Sequence, residues 1–309
     1  MPGSRCKLVV AHPERKAQRS LHRLVGATLC PVEVVGDIDA LTKAVDPTTI
    51  AIVDASLALA NAELPALPAR AWIAVPGEGL APAEAETLTT LLDRGWQHVI
   101  SHPMPMLGEE LLATAQKLIR GDVFGLEKYM AWGAEVQSYE LADARDRDAV
   151  VARLAKDIVA VGLPERLGSL VSVIADELIS NAIYVAPVDD SGARTRSDER
   201  RDTPRPLTGR DAVTVRWATD ARYLAIEVRD RWGSADLGAM TRRVARGGKQ
   251  TAAGEGGMGL QLAYACCNQF VVGSAPGALT EVITLLDVRY KPTELGRAAS
   301  FHAFTGEAP

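Results

Sequence analysis

Glu177 and Asn181 stand four residues apart in a stretch, 167–185, whose apolar residues Val171, Ile174, Leu178 and Ile179 recur largely on another face. Side chains at that spacing share one side of a helix. The amide oxygen of Asn181 is a hard donor, suited to a magnesium ion whose other ligands are waters and phosphates. The Glu177 carboxylate is suited to orienting or deprotonating an attacking group. Farther along, Asp230 and Gly233 close a strand-like run in VRDRWG, 228–233. A carboxylate there accepts a hydrogen bond from an adenine amino group, and a glycine lets backbone approach a ring. A third group is GEGGMGL, 254–260, which carries Gly254, Gly256, Gly257 and Gly259 ahead of a helix. Glycines there expose successive amides, and the helix start adds a positive dipole, a combination that cradles phosphates. The run does not follow a buried strand, as a dinucleotide fingerprint must, and it lacks the Gly-Lys-Ser/Thr ending of a P-loop. Alone, an acid–asparagine pair recurs on many exposed helices, and the Asp230 run equally reads as a β-turn.

The elements that must position these groups follow from hydrophobic period. Residues 148–161 and 167–185 are two helices, and 212–218 with 223–229 are antiparallel strands joined at Thr219-Asp220. Between the helices and strands, 188–211 is polar, charged and proline-bearing, and is expected to be a mobile insertion. Residues 234–253 hold Arg242, Arg243, Arg246 and Lys249, one of which would reach a terminal phosphate across a lid. A helix at 258–268 and strands at 269–273 and 280–288 complete a domain over 148–290, and 291–309 is expected to be a loosely ordered tail.

Residues 1–120 alternate short apolar runs (7–11, 32–35, 49–53, 71–75, 98–101) with amphipathic stretches (15–29, 37–45, 83–94, 107–119). Asp37 is the expected N-cap of the second helix. Such alternation predicts a parallel sheet covered on both faces. Residues 121–147 are a connector whose aromatic run around Trp132 packs the domains together or forms a homodimer contact.

The order of the three groups carries more than any of them alone. Helix with Glu177 and Asn181, strand-end Asp230 with Gly233, glycine loop opening a helix, then a strand pair with Thr280 resembles the GHKL (Bergerat) superfamily, which includes histidine kinases, gyrase, MutL and anti-sigma-factor serine kinases. The resemblance covers roughly residues 145–290 and implies an α/β sandwich that binds ATP with Mg2+. By it, Glu177 is the base-like catalytic residue, Asn181 the metal ligand, and Asp230 the adenine acceptor with Gly233 beside it. Gly254, Gly256, Gly257 and Gly259 border the triphosphate, and Thr280 supports the aspartate. The first third of the chain resembles a response-regulator receiver of the flavodoxin type, with five βα units. Asp54 stands where that family's phosphoacceptor stands, but His12-Pro13-Glu14 replaces the acidic pair, no hydroxyl follows the fourth strand, and His102 replaces the lysine. Without two carboxylates a magnesium ion is poorly held. A degenerate receiver with Asp54 as a capping residue is therefore expected, and phosphorylation at Asp54 is the alternative.

The chain's 309 residues, 47% hydrophobic and 24% charged, with a net charge of -5, fit two ordinary domains and give no reason to expect nucleic acid. Four cysteines without metal-ligand spacing, no leader pattern and no long apolar run suggest a cytoplasmic protein away from membranes. None of the five histidines lies in the 148–187 helices, so phosphorylation of a histidine in the same chain is not expected. The expected function is a signal-transduction kinase that uses Mg2+-ATP to phosphorylate Ser, Thr or His on a partner protein. That partner would be a response regulator, an anti-anti-sigma-type or a sigma-factor-type protein. The alternatives are a non-catalytic ATP-dependent interaction module and a hybrid two-component protein switched at Asp54.

Overall fold

The structure, a computed structural model, describes residues 6–76, 84–103, 106–245, 258–289 and 298–309. Among the described residues the protein is mixed α/β, with eleven strands and nine α-helices. The chain divides into two compact units: one of 1–123 with 244–247 and 297–302, the other of 124–243 with 248–296 and 303–309.

In the N-terminal unit, β1 (Lys7–Ala11), β2 (Val32–Val35), β3 (Thr49–Asp54), β4 (Ala71–Val75) and β5 (His98–Val99) pair in parallel in the order β2-β1-β3-β4-β5. Every residue of β3 and β4 is buried. That is why 50–53 of β3 and all of β4 are continuous apolar runs rather than alternating ones. Helices α1 (Arg15–Gly26), α2 (Ile38–Ala44), α3 (Ala55–Ala60), α4 (Glu84–Asp93) and α5 (Met106–Arg120) complete the connections. On one face Leu8, Val10, Ile50, Ile52 and Ile73 meet Leu21 and Val25 of α1 and Leu107 and Leu111 of α5. The Asp37 side chain caps α2 through the Ala40 amide at 2.8 Å, as its position predicts. Helix α3 was not legible as a separate period; it starts because Asp54 caps it.

The tail expectation is corrected. Residues Ser300–Thr305 form a strand, β11 in chain order, whose first half pairs antiparallel with β5 through Phe301↔Val99 and His302↔His98. It is held by a buried polar network. Glu110 of α5 bridges His102 Nδ1 and His302 Nε2, each at 2.8 Å, and the Ser300 hydroxyl lies 3.2 Å from His102 Nδ1. The His98 ring lies tilted against His302, centroids 5.6 Å apart, and Lys117 lies buried nearby. Burial alone would raise the Glu110 carboxyl; His102 and His302 outweigh it and hold it at about 2, below its ordinary 4.5. Burial, then the charges of His302 and Lys117, keeps His98 well below its ordinary 6.5. Both folded values are depressed, so both contributions are present at neutral pH and lost on acidification. Stability should fall in two windows: below pH 6.5 as unfolded His98 takes up a proton, and again from 4.5 toward 2 for Glu110. The second is on the order of 3 kcal/mol. Thermal unfolding across pH should lose the lower window in E110Q and the upper one in H98F. A wild-type profile flat from pH 7 to about 3 would sink this account.

The C-terminal unit contains β6 (Val136–Glu140), α6 (Arg147–Ala160), α7 (Glu165–Ser180), β7 (Val213–Thr219), β8 (Tyr223–Asp230), α8 (Leu237–Ala245) up to Arg243, α9 (Met258–Ala265), β9 (Gln269–Ala275) and β10 (Leu279–Asp287). Its strands run antiparallel in the order β9-β10-β8-β7-β6. Helix α7 packs on α6, on α9 and on β8. The crossing with α6 is tight, because a Cβ on Gly168 would lie 3.3 Å from the Ala155 carbonyl. Strand β6 is a second departure from expectation, since the connector holds an edge strand that is only partly buried. Arg229 links the buried carboxylates of Glu227 and Glu281, which in turn accept the Leu126 and Gly125 amides and fix the connector's start.

The insertion, 188–211, carries side-chain pairs and isolated bridges along its course. Val188 bridges Arg194, Asp143 bridges Pro206, Arg196 pairs with Asp211 at 2.7 Å, and Arg205 with Glu199 at 2.5 Å. Among the described residues one helix, Glu165–Val185, is long and apolar enough to cross a membrane by composition, and 56% of that window is buried in the protein.

Candidate functional site

Helix α7 does not end at Ser180 but widens into a π turn over Asn181–Val185, closed by the Ala186 amide donating to the Asn181 carbonyl at 2.9 Å. Wide turns of this kind frequently mark functional positions. The turn delivers Asn181, Ala182, Val185 and Ala186 to one wall of a cavity of about 260 Å³. The Ser234 hydroxyl donates to the Ala186 carbonyl at 2.5 Å, so the end of α7 is tied to the segment that follows β8.

Asp230 ends β8 on the floor of the same cavity, in register opposite Thr280 of β10. Its Oδ1 accepts the Trp232 amide at 2.9 Å and the Gly233 amide at 3.3 Å. Both of these amides use the same oxygen, Oδ1. Burial pushes the Asp230 carboxyl up to about 6, against the two amides and Thr280, which pull it down. The Thr280 hydroxyl is buried without a full hydrogen bond in the protein, although it lies near enough to Asp230 to favour the carboxylate. Asp230 and Thr280 thus line one cavity whose apolar walls include Leu178, Val228, Leu260 and Val282. That pairing fits a flat ligand with a polar edge.

The remaining predicted residues are placed differently. Gly233 is absent from the cavity lining; it has φ +57°, and a Cβ on it would lie 2.2 Å from the Ala275 carbonyl and 2.5 Å from the Ala278 amide. Its carbonyl accepts the Gly277 amide at 3.1 Å. It is glycine because the β9–β10 turn presses on it. Glu177 also lies off the cavity wall, half-buried against the first turn of α9, where a Cβ on Gly259 would fall 1.6 Å from Glu177 Oε2. Burial, and then the neighbouring Asp176, raises the Glu177 carboxyl. Asp176 is itself held by Arg147 at 3.1 Å. Gly254, Gly256 and Gly257 lie outside the described residues, as do Arg246 and Lys249 of the expected lid. Of the other lid cations, Arg243 lines the cavity and Arg242 is exposed.

Several lining residues carry no motif. Ser234 and Asp236 follow the Asp230 run, and Asp236 caps α8 through the Ala239 amide at 2.9 Å. Val188, Gly192 and Arg194 come from the insertion. The insertion is anchored there by Arg196 and Arg210, whose guanidinium carbons lie 5.8 and 4.2 Å from the Trp232 ring. Only Asp236, as a cap, had a local signal.

In the N-terminal unit Asp54 is 2% exposed. Its Oδ1 accepts the Ser56 and Leu57 amides and the Ser56 hydroxyl, and its Oδ2 lies 3.3 Å from His12 Nε2. These are the contacts of an N-cap with a buried histidine partner. No model of a known protein family matches the chain, and no curated protein matches it.

Proposed function

We propose that the C-terminal unit binds Mg2+-ATP in the manner of the GHKL superfamily, and that the protein is a signalling kinase that phosphorylates a partner protein. One observation supports the reading: Asn181, Asp230 and Thr280, far apart in the chain, line one cavity. The adenine amino group would donate to Asp230 Oδ2, with Thr280 beside it. Asn181 would hold a magnesium ion that also binds the phosphates. Among the described residues no cluster of three or more His, Cys, Asp or Glu forms a metal site by itself. An ion arriving with the nucleotide needs only the one amide ligand, because magnesium keeps several waters. When bound, the ion supplies charge neutralisation for phosphoryl transfer.

This chain's own residues would do the rest. Glu177, with its raised pKa, is suited to take a proton from an incoming hydroxyl. Its packing against Gly259 favours a second reading, in which ATP is a conformational ligand and no transfer occurs. His12, His98, His102 and His302 are buried and His22 alone is exposed, which supports an acceptor on another chain. We assign no phosphoryl transfer to Asp54, whose oxygens are occupied by its cap and by His12; the N-terminal unit is a degenerate receiver in this reading, a partner-binding module whose strand order β2-β1-β3-β4-β5 is that of flavodoxin-like folds.

Calorimetric titration tests the site. Wild type should bind ATP saturably with Mg2+. N181A should lose most of the magnesium-dependent gain in affinity, about ten-fold or more, while keeping the magnesium-free component. No binding to folded wild type, or an N181A titration identical to wild type with and without the metal, would remove the reading.

A further inference from the structure

Away from the nucleotide cavity, two cysteines meet at the N-terminal ends of β1 and β2. Leu8 pairs with Val32 in the parallel ladder, so Cys6 and Cys30 each stand two residues ahead of a registered pair, on the same face as Leu8 and Val32. The Leu8 amide donates to the Pro31 carbonyl at 2.9 Å, which closes the ladder between them. Neighbouring strands lie about 4.8 Å apart, within the roughly 4.4–6.8 Å Cα separation that a disulfide spans. Both side chains join the same apolar cluster; the Cys6 Sγ lies 3.8 Å from the Lys7 carbonyl, and Cys30 and Arg70 are near enough to shift the Cys6 thiol.

The chain is bent to bring Cys30 there. Leu29, 92% exposed, has φ +62° and is the only described non-glycine residue with positive φ. Strain of that kind persists only where the surroundings enforce it, and it clusters at functional positions. The Thr28 hydroxyl donates to the Val25 carbonyl at 2.7 Å and accepts the Cys30 amide at 3.3 Å, which locks the turn. Access is graded: Cys6 is 6% exposed and Cys30 is only partly buried.

We propose that Cys6 and Cys30 are a thiol–disulfide pair that a small-molecule disulfide oxidises, a modification site independent of the ATP reading. The Cys30 thiolate attacks one sulfur of the oxidant, forming a mixed disulfide and releasing one thiolate. The Cys6 thiolate then attacks the Cys30 sulfur, forming the Cys6–Cys30 bond and expelling the second thiolate. Two protein thiols become one disulfide, the oxidant becomes two thiols, and the two protons pass to those thiols. Arg70 favours the Cys6 thiolate against burial, which raises the Cys6 thiol. The product would tie the start of β1 to the start of β2.

The test uses the full chain in mixtures of reduced and oxidised glutathione, read by intact mass and by peptide mapping without reductant. Wild type should lose two of its four thiols and retain no glutathione. C6S should keep one glutathione on Cys30, and C30S should form no Cys6 adduct while native. The Cys6–Cys30 equilibrium should favour the disulfide at least roughly ten-fold more in the native chain than in urea. Glutathione persisting on wild-type Cys30, a bond to Cys266 or Cys267 instead, or equal equilibria in native and unfolded chains would overturn the proposal.

Discussion

Replacing Asp230 by asparagine is expected to cost about 100-fold in ATP affinity and to make the protein without nucleotide more stable. The two effects have one cause. Burial raises the Asp230 carboxyl from its ordinary 3.8 to about 6. A raised acid stabilises the fold fully only below its unfolded value, and that contribution is lost as pH rises through the folded value. At neutral pH the charge therefore costs on the order of 3 kcal/mol, which D230N recovers in part. In the variant the Trp232 and Gly233 amides still require an acceptor at the Oδ1 position, so the side-chain oxygen stays there and the NH2 turns into the cavity. A donor then faces the adenine amino donor. The same geometry suits a 6-keto purine, so ITP should lose far less than ATP. In the wild type, ATP affinity should fall as pH drops below 6, because a protonated Asp230 presents no carboxylate. Titrations of both nucleotides into both proteins, beside thermal unfolding, check this. Unchanged ATP affinity in a folded D230N would end the assignment of Asp230 to adenine.

The second large effect concerns Gly233. Gly233→Ala is expected to destabilise the protein by about 2–4 kcal/mol, from left-handed backbone strain plus overpacking. Gly277, one turn away, is its control. Both residues have positive φ, but a Cβ on Gly277 meets nothing within 4 Å, whereas one on Gly233 meets three backbone atoms under 3 Å. Gly277→Ala should cost only the strain, about 1 kcal/mol. Urea unfolding of the two variants separates backbone strain from steric pressure. Equal costs would mean that the turn moves freely away from Gly233.

Much of the scaffold was legible because its physical causes are local. The continuous apolar runs of β3 and β4 mark strands buried on both faces, and Asp37 marks a helix start. β6 was not legible, since an edge strand with one half-buried face shows weak alternation. β11 was hidden in a six-residue stretch whose ordering depends on Glu110 and β5, nearly two hundred residues earlier. The insertion looked unstructured by composition. Its path is fixed by side-chain pairs, Arg196 with Asp211 and Arg210 over Trp232, which composition and hydrophobic period do not reveal. The site divides in the same way. Asn181, Asp230 and Thr280 were found from motif order, whereas Val188, Arg194 and Ser234 share a wall only because distant segments meet. The motif reading of Gly233 anticipated a ligand contact and missed the turn that packs against it.

The wide turn at Asn181–Val185 also changes the gearing of the chain. An α-helix advances about 100° per residue, and a π turn takes one more residue to come round. Everything beyond Val185 is therefore rotated one step relative to the apolar stripe of α7. That step leaves Ala182, Ile183 and Tyr184 in the core while the Ala186 carbonyl meets Ser234. A relative with an unbroken α-helix here would need one residue fewer to reach the same wall. Any alignment across this point should carry a single-residue gap, and without it every position in the insertion would be compared with the wrong neighbour.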